Sequence, residues 1–142
     1  MRRAVAAAAC LLALSACDAQ RTPPPQVLAP VEDADGRIEW RGMQPCADCD
    51  GIDTTLVLSR EGGRQRFVFS ETYLARQPAR FVTSGTWRRD GALLRLDADD
   101  DVRLGYAVLE DGRLQPRGLR GQRLSTADGD GLLQPTASAT ER

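Results

Sequence analysis

The 142 residues include 19 basic side chains, all of them arginine, against 20 acidic ones, for a formal charge of −1, and there is no histidine. A near-balanced charge without a basic cluster excludes the electrostatic footprint of a nucleic-acid-binding protein. The absence of histidine removes the usual general base, the Ser-His-Asp triad and the commonest nitrogen metal ligand, so any chemistry must come from sulfur, carboxylates or backbone.

The chain opens with Arg2 and Arg3, an apolar stretch from Ala4 to Leu14, and Leu14-Ser15-Ala16-Cys17. Eleven apolar residues fall short of the roughly 20 that span a bilayer as a helix, and the pattern is that of an export signal. The tetrad resembles a bacterial lipobox, which implies cleavage of residues 1–16 and acylation of Cys17. Each buried methylene adds about 0.8 kcal/mol to membrane affinity, so two or three acyl chains anchor a protein firmly. Asp18 after the lipidated cysteine resembles the enterobacterial signal for inner-membrane retention. Cys10 leaves with the signal and Cys17 carries lipid, so one pair remains, Cys46 and Cys49. In an oxidising, exported compartment a close pair is by default a disulfide.

Residues 17–35 are expected to be the lipidated cysteine and a tether. Thr22-Pro23-Pro24-Pro25, Pro30 and Glu32-Asp33-Ala34-Asp35 show almost no periodicity, and proline runs favour extended polyproline II, with a reach of about 55 Å at roughly 3.1 Å per residue. From there to residue 126 the pattern is strand after strand. Ile38 and Trp40 share a face; Ile52, Thr54, Leu56 and Leu58 alternate; so do Phe67 and Phe69. Phe81 to Trp87, Leu94 with Leu96, and Val102 to Val108 follow, separated by turns at Glu61-Gly62-Gly63, Asp90-Gly91, Asp111-Gly112 and Arg120-Gly121. No segment after Cys17 carries an apolar stripe of period 3.6. The prediction is all-β: a small antiparallel meander closing into a lipocalin-like up-and-down barrel, because closure covers both sheet edges. Trp40, Phe67, Phe69 and Tyr106 are expected inside, which favours a filled interior. Residues 127–142 are expected to be a flexible tail, with one last short strand at most near Leu132 and Leu133.

Between the first two strands lies Pro45-Cys46-Ala47-Asp48-Cys49-Asp50-Gly51-Ile52-Asp53-Thr54. With Gly42 before it and Leu56 after it, this block closely resembles the signature G-x-x-P-C-A-D-C-x-G-I-x-T-x-L of the NlpE-type copper-resistance lipoproteins. The resemblance extends through Glu71-Thr72-Tyr73-Leu74, Gly85-Thr86-Trp87 and Asp90 to Leu96, covering roughly residues 38–115 and corresponding to the N-terminal domain of that family. It implies a lipocalin-related barrel held in the cell envelope, in the outer membrane by family habit, with links to copper tolerance and to envelope or surface stress. It also implies a signalling partner in the envelope and no enzymatic activity. The longest family members carry a second, OB-like domain with another cysteine pair, which the residues up to Arg142 do not supply.

The pair itself admits several chemistries. Thiol-disulfide exchange wants a thiolate stabilised by a helix N-terminus or a cation, whereas Asp48, Asp50 and Asp53 disfavour it, so exchange ranks low. Soft-metal binding is a second option: two thiolates suit Cu(I), and Met43 adds a thioether in Met43-x-x-Cys46-x-x-Cys49, although methionine more often fills an apolar gap. A third option makes the disulfide a redox reporter or a brace that shapes the turn before Ile52. A four-residue ring stabilises by only about 2 kcal/mol in the loop-entropy relation, which is small for a whole domain. An alternative function, a carrier holding an apolar ligand within the barrel, fits the same fold. Asp97-Ala98-Asp99-Asp100-Asp101 fails as a calcium loop, since counted from Asp97 the twelfth residue is Val108, where an EF-hand requires Glu.

Overall fold

Alternation of apolar and polar residues sets the strands. In the computed structural model, which describes residues 28–124 and 131–136, eight strands follow one short helix. Helix α1 is Ala29–Glu32, and the strands are β1 Gly36–Gln44, β2 Ile52–Glu61, β3 Arg64–Tyr73, β4 Ala79–Asp90, β5 Leu93–Ala98, β6 Arg103–Val108, β7 Leu114–Arg117 and β8 Gln134–Pro135. The sheet order is β7-β6-β5-β4-β3-β2-β1-β8, antiparallel throughout, so each hairpin neighbour in sequence is a neighbour in space. Gly62 and Gly63 both take positive φ, at 54° and 79°, which a two-residue turn matched to the right-handed strand twist requires and which side chains resist.

The register stacks the inward residues in rows. Ile38 faces Leu58 and Phe67; Trp40 faces Leu56 and Phe69; Trp87 faces Leu96; and Leu94 faces Tyr106. All are buried, with the four aromatics expected inside no more than 6% exposed. The barrel is filled by its own side chains. Both indoles find acceptors, Trp40 Nε1 donating to the Gly112 carbonyl at 2.9 Å and Trp87 Nε1 to that of Ser59 at 3.0 Å, as buried Trp N–H groups require.

Closure rests on a small contact. Leu114 at the start of β7 and Leu133 just before β8 exchange both backbone hydrogen bonds, each 2.9 Å, which joins the two ends of the meander. Leu114 and Leu133 are themselves fully buried. The last strand thus falls at Gln134–Pro135, just beyond the leucines from which it was expected. Residues 131–136 belong to the barrel rather than to a flexible tail, because a meander of seven strands leaves two unpaired edges that this segment bridges.

One further difference lies at the N-terminal side. The tether was expected to run to Asp35, yet Leu28 and Val31 are fully buried in the core cluster and Ala29–Glu32 forms one helical turn. Residues three apart share a helix face, so a single turn suffices to lay both side chains on the apolar interior at this end of the barrel. Polar contacts hold the turn. Arg89 Nη1 reaches both Glu32 carboxylate oxygens at 3.0 Å, Arg60 donates to the Glu32 carbonyl, and Asp35 accepts from the Gly62 amide at 2.8 Å. Cys17 and the proline run lie outside the described residues.

Two substitutions test these departures. Leu28→Ala should cost about 2–5 kcal/mol in urea unfolding, as for buried leucines elsewhere, whereas a tether residue would cost nothing. Leu133→Ala should cost a similar amount, about 2–5 kcal/mol, and an unchanged unfolding midpoint would show that the C-terminal segment does not close the barrel.

Candidate functional site at the disulfide rim

Strand direction alternates, so the ends of β1, β3, β5 and β7 and the starts of β2, β4 and β6 gather at one end of the barrel, opposite α1. The Cys46–Cys49 loop sits there. Gln44 pairs with Ile52, leaving residues 45–51 as a connection between β1 and β2. Within it Cys46 and Cys49 are joined as a disulfide, with S–S 2.03 Å and Cα–Cα 5.4 Å, and both are half-buried.

Local geometry explains the residues around the bridge. Asp50 N–H donates to the Leu74 carbonyl and Leu74 N–H to that of Gly51, both at 2.9 Å, so the loop is laced to the residue that follows β3. Gly51 has φ of 148°, and a Cβ there would lie 2.7 Å from the Met43 thioether, so conformation and space both demand glycine. Met43 therefore packs on Gly51, beside the bridge, while remaining 55% exposed. Cys49 Sγ lies 3.3 Å from the Gly51 carbonyl oxygen; a disulfide sulfur carries no proton, so this is a contact and not a hydrogen bond. Asp48, Asp50 and Asp53 are exposed and form no ion pair among the described residues.

No helix N-terminus among the described residues points at the sulfurs, and the immediate charges, Asp48, Asp50 and Asp53, are negative. Among the described residues no three His, Cys, Asp or Glu side chains converge as a metal site. Apolar side chains are exposed here instead: Met43 near the end of β1 and Phe81 and Val82 near the start of β4. Burial raises the Glu71 carboxyl above its ordinary value, and burial together with the Glu71 charge raises the Tyr106 phenol.

Sequence reasoning grouped Cys46, Cys49 and Met43; the structure joins the two cysteines and packs Met43 on Gly51. Cys17 lies outside the described residues. Glu71 went unremarked as a site residue, though its signal was present: Phe67-x-Phe69-x-Glu71 puts an acid on the inward side of an alternating strand. In the Asp97–Asp101 segment Asp97 and Ala98 end β5 and residues 99–101 form the hairpin turn, with Asp99 bonded to Arg66 and Ser84; the Arg66 guanidinium holds that carboxyl below its usual range.

Comparison with known proteins places this geometry in a family. The model of the NlpE N-terminal domain matches residues 40–127. Lipoprotein NlpE of Escherichia coli strain K12 is 46% identical over 52 residues, which cover 35% of this chain and 21% of that protein. A crystal structure described as the Cpx pathway activator NlpE from Escherichia coli superposes with a TM-score of 0.56 at 35% identity, over 63% of this chain and 46% of that one. A second structure, described as a "putative lipoprotein" from Shewanella oneidensis, gives a TM-score of 0.50 at 26% identity, over 68% of this chain and 84% of the other. The matched region thus spans about a fifth of the curated relative and under half of the solved Escherichia coli chain. With its eight-stranded barrel, its Cys46–Cys49 loop and a family match over most of its length, the chain belongs to the NlpE N-terminal domain family.

Proposed function

We propose that this chain is a non-enzymatic envelope lipoprotein, anchored through Cys17, that reports stress through the disulfide-bearing rim of its barrel. The signalling partner would be an envelope protein of the kind implied by the Escherichia coli relative, whose structure is described as that of a Cpx pathway activator. The observation that carries the reading is the separation of the rim from the fold's support. Neither Cys46 nor Cys49 takes part in the core cluster or in the Leu114–Leu133 closure, and the loop is tied to the barrel by backbone hydrogen bonds between residues 50–51 and Leu74. A dithiol reductant would supply the two electrons and two protons that convert the disulfide to two thiols, itself becoming a disulfide, and the loop could then change shape without unfolding what lies beneath it.

The position of α1 supports the same reading. The chain enters the barrel at the helical end, so an anchor at Cys17 would leave the opposite rim facing away from the lipid surface, toward soluble partners. Asp18 favours the inner membrane and family habit the outer, and the rim is accessible from the periplasm in either case. The alternative of an apolar-ligand carrier fits poorly, because Trp40, Leu56, Leu58, Phe67, Leu94 and Leu96 fill the interior.

Met43 packed on Gly51 beside the sulfurs favours one further role, that of a Cu(I) site linked to copper tolerance. The oxidised bridge offers no thiolate and does not fit the ion. Once reduced, Cys46 and Cys49 would supply two thiolates and Met43 a thioether, a donor set suited to Cu(I). Copper binding would thus require prior reduction.

The double variant Cys46→Ser/Cys49→Ser tests the reading. Its unfolding free energy should fall by no more than about 2 kcal/mol. An envelope-stress reporter driven by overproduction of the variant should respond differently from wild type when reductant is added. Equal responses under oxidising and reducing conditions in both proteins would remove the disulfide from signalling. For copper, Cu(I) titration should show tight binding to the reduced chain and none to the oxidised one.

A further inference from the structure

Beside the disulfide loop, the mouth of the barrel holds a carboxylate without a counter-charge among the described residues. β3 sends Phe67, Phe69 and Glu71 inward in alternation; the two phenylalanines are buried, and Glu71 continues their row toward the open end. Across the strands Glu71 stands between Thr54 of β2 and Phe81 of β4. Phe81 meets Tyr73 edge to face, with ring centroids 5.5 Å apart and planes at 83°. Tyr106 faces the same interior from β6 and senses the charge on Glu71. Of the arginines near this end, Arg80 donates to Ser70 and Arg103 pairs with Asp97, while Arg76, in the β3–β4 connection, forms no ion pair with Glu71.

A half-buried carboxylate loses hydration that no group in the described chain restores. Two aromatic rings beside it, Phe81 across the strand and Tyr73 against Phe81, add negative faces, and together they complement an organic cation: the carboxylate supplies the counter-charge and the rings supply cation–π contacts. A divalent metal is poorly served by one carboxylate and one hydroxyl. An anion would be repelled, and a purely apolar ligand would desolvate Glu71 further. We propose that the barrel mouth is a binding site for an organic cation head group, alkylammonium or guanidinium, with Glu71 as counter-charge and Tyr73 and Phe81 as its aromatic wall. The cation can come from a free amine or from a lysine or arginine side chain of a partner peptide.

Two-dimensional NMR titration of the full chain tests this at neutral pH, with n-butylammonium chloride in one series and a lysine-containing tripeptide amide in another. Sodium chloride at matched ionic strength is the control. Saturable shifts centred on Glu71, Tyr73 and Phe81 are expected with at least one probe. Binding of butylammonium assigns the site to free amines, and binding of the peptide alone assigns it to a partner's side chain. Glu71→Gln should weaken binding at least tenfold while leaving the thermal midpoint of the barrel in place. Affinity should also fall as pH drops through the Glu71 titration, which burial places above the ordinary carboxylate value. Facing Glu71, Thr54 and Phe81 do not titrate and Tyr106 stays protonated in that range; Asp53 lies on the outer face of β2. Shifts no larger than those with sodium chloride, or equal affinity in Glu71→Gln, would overturn the proposal.

Discussion

The reciprocal hydrogen bonds between Leu114 and Leu133 are the constraint on which the rest of the molecule depends. Seven strands in a hairpin sequence make an open, twisted sheet with two free edges and a half-exposed apolar face. Two backbone bonds of 2.9 Å, with both leucines buried behind them, convert that sheet into a barrel. Trp40 secures the same seam from within, since its indole crosses from β1 to the Gly112 carbonyl in the β6–β7 turn. An interior that is filled on all sides follows from closure. Without it the aromatic rows on β1 and β3 would lack partners from β6 and β7.

Closure also gives the barrel two unlike ends. The end nearest the N-terminus is covered by Leu28 and Val31 and fastened by the Glu32–Arg89 pair, whose side chains are 27% and 16% exposed. The other end has no such cover among the described residues. It carries the disulfide loop, exposed Met43, Phe81 and Val82, and the inward acid Glu71. Support is thus concentrated at one end and chemical variety at the other. A short bridge contributes little to global stability, so a change of its redox state acts on the rim and not on the barrel. The loop also touches Leu74, the neighbour of Tyr73, which brings the disulfide within one residue of the aromatic wall around Glu71.

The strands were legible because half-burial imposes a period of two that no other element shares, and Thr54-x-Leu56-x-Leu58 and Phe67-x-Phe69 display it without interruption. The cysteine loop was legible through chemistry: close thiols, a glycine and carboxylates between two strands. Helix α1 was not, because one turn bearing two apolar residues after a proline run has no period to detect, and it forms only because an apolar barrel end awaits it. β8 was legible only as a last short strand near Leu132 and Leu133, and its place in the sheet was not. Two residues paired to β1 are recruited by the unpaired edges, not by their own propensity. Glu71 was overlooked as a site because an acid at an inward position acquires meaning only once its cross-strand neighbours, Thr54 and Phe81, are known.

Native-state hydrogen exchange of the full chain, with and without a reductant, tests most directly the claim that the rim is a locally attached element on an independently held barrel. The account predicts faster exchange after reduction at residues 50–52 and 74, with unchanged protection at Leu56, Leu114 and Leu133. Loss of protection at Leu114 and Leu133 on reduction would contradict it, since the bridge would then support the closure itself.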